Sequence, residues 1–112
     1  MAVDDGETLR AVDPGQDLHE WQSARASLEE EADSSPDAVL SELAELVERM
    51  LVARGYDVTD PVARAGDERD VVVTYLAARE TAERAELAEA SRGDVEAALD
   101  DLRSVFNTIA AG

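Results

Sequence analysis

Val39, Leu40, Leu43, Leu46, Val47, Met50 and Leu51 follow one another at steps of three and four residues. With 3.6 residues per turn, that spacing gathers all seven side chains into one stripe on an α-helix and scatters them on anything else. The residues before the stripe form a helix start. Ser35 can cap, Pro36 suits the first helical position because its missing N–H is not needed there, and Asp37 favours the positive end of the helix dipole. Gly55 supplies the stop, and Arg49 and Arg54 complement the negative end of the dipole. A helix is therefore expected over 35–54.

The same reading finds two further helices. Gly93 breaks the chain and Asp94 can cap a segment in which Val95, Ala98, Leu99, Leu102, Val105, Phe106 and Ile109 line one face. Asp67, with Asp70 three residues on, approximates a capping box for a helix reaching about residue 90. Its first half carries Val71, Val72, Tyr75 and Leu76, whereas Ala78, Ala82 and Ala85 continue the stripe with methyl groups alone. Such a seam buries little area but admits a close neighbour, inside the bundle or from another copy. The run Val71-Val72-Val73 suits a strand, yet the helix formers after it and the three/four spacing favour a helix. Together these segments predict a three-helix bundle domain over 35–110.

Upstream, residues 17–33 offer a weaker amphipathic helix. Asp17 can cap it and Leu18, Trp21 and Leu28 are its apolar residues, but Glu29, Glu30 and Glu31 oppose the dipole at its end. Residues 1–16 are small, polar and acidic and are expected to be disordered. The fold class expected is thus all-α, a small three- to four-helix bundle with a disordered acidic N-terminus. The connector 56–66 contains Pro61, with Tyr56, Val58 and Val62 as expected plugs over the end of the bundle. Loops often carry function, so Tyr56-Asp57-Val58-Thr59-Asp60-Pro61 is a place to look for a specific contact.

Composition limits what such a bundle can do. The 112 residues make one domain, and only 25 of them are Val, Leu, Ile or Phe, close to the level below which a highly charged chain fails to fold. Thirteen Asp and fourteen Glu stand against ten Arg and no Lys, for a net charge of −17. A lysine-free chain rich in Ala and Arg resembles the small acidic helical proteins of GC-rich bacteria, and adaptation to high salt is the competing reading. Nucleic acid and anionic membranes would be repelled, and a basic partner attracted. Absence of cysteine removes disulfides and thiolate metal sites. With no signal-peptide pattern and no long apolar run, a cytoplasmic location is expected.

Little in the sequence points to catalysis. His19 is the single histidine, and Gln16 three residues before it removes even one Glu-x-x-His pair of a di-iron bundle. Glu42, Glu45 and Glu48, like Glu80, Glu83, Glu86 and Glu89, recur every third residue. They read as solvated helix faces, since hard cations need oxygens converging on one point. No phosphate-binding glycine loop or nucleophile elbow occurs, and Arg92-Gly93-Asp94 reads as a helix boundary without an adhesive role. No enzymatic activity, no catalytic residue, no metal and no cofactor are expected. The most suggestive feature is Trp21 in its acidic segment, since aromatic residues anchor many interfaces. Leu18, Trp21, Leu28 and Tyr56 are therefore the candidate partner-binding residues. The expected function is that of a non-enzymatic interaction protein, an adaptor, small subunit or regulator that binds another protein or forms a homo-oligomer. The alternative is an acidic nucleic-acid mimic or antitoxin-like inhibitor of a basic protein.

Overall fold

In a computed structural model of the chain, residues 14–59 and 67–111 are described. Among them are four helices and no strand: α1 (Pro14–Glu31), α2 (Pro36–Ala53), α3 (Asp67–Glu86) and α4 (Arg92–Ala111). The chain is an all-α bundle, as the periodicity requires. α2, α3 and α4 pack on one another, and α1 lies against α2.

The buried stripe of α2 runs from Val39 to Leu51, and that of α4 from Val95 to Ile109. Eight buried residues make the α2 stripe unusually wide, because this helix meets three others. On α3 the triple valine divides as a helix demands, with Val72 buried, Val71 half-buried and Val73 exposed. Tyr75 is completely buried, and below it Ala78, Ala82 and Ala85 form the expected seam. Val58 closes the core from the connector, and Tyr56 packs half-buried against it. Val62 and Pro61 lie outside the described residues, as does the tail 1–13 expected to be disordered.

The helix ends follow the expected local chemistry at Gly55 and depart from it elsewhere. Gly55 takes φ +88°, Tyr56 N–H donates to Leu51 O at 2.9 Å and Gly55 N–H to Val52 O at 3.0 Å, the paired bonds of a Schellman cap. At the other end of α2, Ser35 occupies the cap position but its side chain makes no capping hydrogen bond. α1 begins at Pro14, not at the expected cap Asp17. The proline ring presets a helical φ and gives up no needed hydrogen bond in the first turn, so it starts the helix instead of delaying it.

α3 stops at Glu86, four residues short of the expected end, although no glycine follows. Ala88 adopts φ +59°, Glu89 N–H reaches Arg84 O at 2.8 Å and Ala88 N–H reaches Ala85 O at 3.0 Å, a second Schellman cap built on a non-glycine residue. The left-handed conformation sets Cβ against the following carbonyl, strain that glycine lacks. Ala88→Gly is expected to raise stability by about 0.5–1 kcal/mol, read as a higher denaturation midpoint at unchanged m-value. An equal or lower midpoint would contradict the strain. The cap of α4 also differs from expectation. Ser91 Oγ accepts from Asp94 N–H at 3.0 Å while Ser91 N–H donates to Asp94 Oδ2 at 3.2 Å. This is a capping box with Ser91 as cap, Gly93 within the first turn and Asp94 as the reciprocal partner.

Candidate functional site, a groove between α1 and α4

α1 rests on the bundle through Trp21, Ala24, Leu28 and Ala32, all half-buried and spaced by three or four residues. One flank of that stripe, Gln22, Arg25 and Glu29, faces α4 across an open groove of about 490 Å³. Phe106, Ala110 and Ala111 of α4 and Ala26 of α1 give the groove apolar walls. Arg25, Glu29 and Asn107 give it a polar rim.

The two helices are joined across this groove by long polar side chains. The Arg25 guanidinium lies over the Phe106 ring, 4.9 Å from its centroid, and donates to Asn107 Oδ1 at 2.6 Å. Arg103 grips Glu29 with two parallel hydrogen bonds of 2.9 Å, from Nε to Oε2 and from Nη2 to Oε1. It also donates to Asp100 Oδ1 at 2.8 Å. A planar guanidinium fits a carboxylate in just this two-pronged way, so this pair is worth more than an ordinary surface ion pair. At the far end of α1, Arg54 lies over the Trp21 ring at 5.1 Å. Arg54, expected to complement the α2 dipole, is thus used as a contact to α1.

Hydrogen bonding from Arg103 holds the Glu29 carboxyl below the usual carboxylate range, against a smaller opposing effect of burial and with help from Arg25. A lowered folded pKa means that Glu29 stabilises the docked α1 at neutral pH, and that this contribution disappears as pH falls through the lowered value. In a chain with 27 acidic residues a change of pH alters much besides this pair, so a variant is needed to isolate it. Glu29→Gln is expected to weaken α1 docking by about 1 kcal/mol at pH 7 and to have little effect below the carboxylate range. Trp21 fluorescence followed through urea unfolding at both pH values checks this. Equal effects at both would remove the assignment.

The residues expected to bind a partner have mixed surroundings. Trp21 and Leu28 share the stripe that faces the protein's own core, Leu18 is half-buried one turn before Trp21, and Tyr56 follows the α2 cap. The structure therefore packs Trp21, Leu28 and Tyr56 on the bundle itself, with part of each side chain accessible. His19 is exposed. Comparison with family models, curated proteins and solved structures yields no match. The groove residues Arg25, Glu29, Arg103 and Asn107 were not singled out by sequence. Their one local signature is spacing: Arg25 and Glu29 lie one turn apart on α1, and Asp100, Arg103 and Asn107 one turn apart on α4.

A second groove runs between α2 and α3. There Glu45 and Glu48 of one glutamate row meet Glu83 and Glu86 of the other, with Arg79 among them. Tyr75 donates its hydroxyl hydrogen to Glu48 Oε1 at 2.7 Å, and Ser41 donates to Glu86 Oε2 at 2.9 Å. Burial first, and the neighbouring Glu48 carboxylate second, push the Tyr75 phenol well above its ordinary pKa. It stays a neutral donor at any physiological pH. Among the described residues no group of three or more acidic, His or Cys side chains is arranged to hold a metal ion. No described helix is long and apolar enough to cross a membrane.

Proposed function

We propose that this protein is a non-enzymatic interaction protein, a small helical bundle that serves as an adaptor, subunit or regulator by binding another protein or a second copy of itself. The observation that supports this reading is the α1–α4 groove. It has alanine walls around the edge of a Phe106 ring that Arg25 covers, and arginine is among the residues enriched at the energetic centres of interfaces. Its opening between two helices suits a partner helix. The test fills the groove from its exposed alanines. Full-length protein and the double variant Ala26→Arg, Ala111→Arg are immobilised, captured proteins are identified by mass spectrometry, and self-association is measured by light scattering. A partner or dimer held by the native protein and at least tenfold more weakly by the variant is expected. A native protein that stays monomeric and captures nothing would end this reading, and so would equal capture by both.

The meeting of two glutamate rows along the α2–α3 groove favours a second reading, an acidic mimic or antitoxin-like inhibitor that covers a basic protein surface. Binding of that kind weakens steeply with ionic strength because exposed charges are screened within about 10 Å at 0.1 M salt. Affinity that barely changes between low and high salt would discard it.

A further inference from the structure

The residues that seal the core lie on α2, α3 and α4 or, as Val58, just after α2. Among its described side chains α1 contributes no fully buried residue, and it covers the core from outside. Besides its half-buried stripe, what fastens α1 among the described residues is arginine at three points: Arg54 over Trp21, Arg25 over Phe106 and onto Asn107, and Arg103 onto Glu29. Against these fastenings stands charge. α1 bears five acidic residues and one arginine, and it lies on a bundle that, from Pro36 to Ala111, holds seventeen acidic residues and eight arginines. The two parts thus carry net charge of the same sign, and that long-range term opposes the docking. Beside α4, moreover, α1 leaves an open groove where close packing would otherwise hold it.

We propose that α1 is a strap: it swings off the bundle as a unit about the turn at 32–35, and the face it uncovers takes a basic amphipathic helix from a partner protein. This names an occupant for the α4 wall of the groove proposed above, with α1 displaced, and rests on the interaction reading, but the opening itself can be measured without a partner. The occupant follows from the residues. α1 shows which shape fits, a stripe of one large aromatic, one leucine and small residues at three- and four-residue steps. It also carries net negative charge onto a bundle that is itself net negative, which offsets part of what the arginine contacts supply. A helix with the same stripe and basic outer residues keeps the packing and exchanges repulsion for attraction.

Hydrogen exchange of the full-length protein, read by mass spectrometry, tests the strap. Amides of residues 20–30 are expected to be protected about 100-fold less than those in the middle of α2 and α4. Arg103→Gln, a change on the surface, is expected to lower the protection of α1 about fivefold further and leave the other helices unchanged. The probe for the occupant is a synthetic peptide of residues 14–34 carrying Glu20→Lys, Glu30→Lys and Glu31→Lys. It is expected to bind the full-length protein, raise exchange in the protein's own α1 and lower it around Phe106. Equal protection of α1 and the other helices overturns the strap, whatever the peptide does. Opening of α1 without peptide binding overturns the partner helix and, with it, the interaction reading of this face.

Discussion

Tyr75→Ala is expected to destabilise the protein by about 4 kcal/mol, enough to leave a bundle of this size barely folded. The reason lies in how unevenly α3 is anchored. Past Tyr75 its buried stripe is Ala78, Ala82 and Ala85, whose methyl groups contribute little area each, so the ring, with Val72 one turn before it, carries most of what fixes this helix. Removing it opens a cavity beside alanines whose methyl groups are too short to fill it. Tyr75→Phe separates the ring from its hydroxyl. It keeps the packing and takes only the donor from Glu48, a carboxylate that water can reach, so a loss of about 1 kcal/mol or less is expected. Urea unfolding followed by far-ultraviolet ellipticity measures both variants. A loss under about 1.5 kcal/mol for Tyr75→Ala would mean that the alanine seam, not the ring, holds α3.

Phe106→Ala is expected to lose about 3–4 kcal/mol, by a different combination of effects. The ring is only 2% exposed, yet its outer face carries the Arg25 guanidinium, so one side chain belongs both to the core and to the fastening of α1. The variant should show two consequences at once: a lower overall stability, and a Trp21 emission that shifts toward that of water at a denaturant concentration where the helices of the core persist. A double-mutant cycle with Arg25→Ala isolates the second part. A coupling of about 0.5–1 kcal/mol is expected for a stacked, partly exposed cation. Zero coupling would reduce the stacked arginine to a bystander.

The stripes of α2 and α4 were legible because each is a periodic property of one segment, and so was the Gly55 stop, where a glycine follows the last apolar residue. The split of Val71, Val72 and Val73 obeyed the same rule. Caps that depend on unusual residues were less legible. Ala88 ends α3 in a conformation that its side chain disfavours, so no residue type announced it, and Gly93 drew attention away from Ser91, whose partner is Asp94 three residues on. Least legible was the candidate site. Arg103 and Glu29 are 74 residues apart and Arg25 and Asn107 are 82 apart, and nothing local says which arginine of ten will cross between helices. Such pairs follow from the packing and do not direct it.

The two connections within the core differ in a way that bears on the order in which the chain assembles. Only residues 87–91 separate α3 from α4, and both helices are closed there by bonds made within a few positions, the cap at Ala88 and the Ser91–Asp94 box. Between α2 and α3 lie residues 54–66, a longer span whose closure costs about 0.6 kcal/mol more for each doubling of length. Of the three core helices, α3 and α4 are therefore the pair that a disordered chain can bring together soonest, and α2 must find a surface that this hairpin has already prepared. Ser91→Ala should accordingly slow folding more than it speeds unfolding, the signature of a contact present before the barrier is crossed.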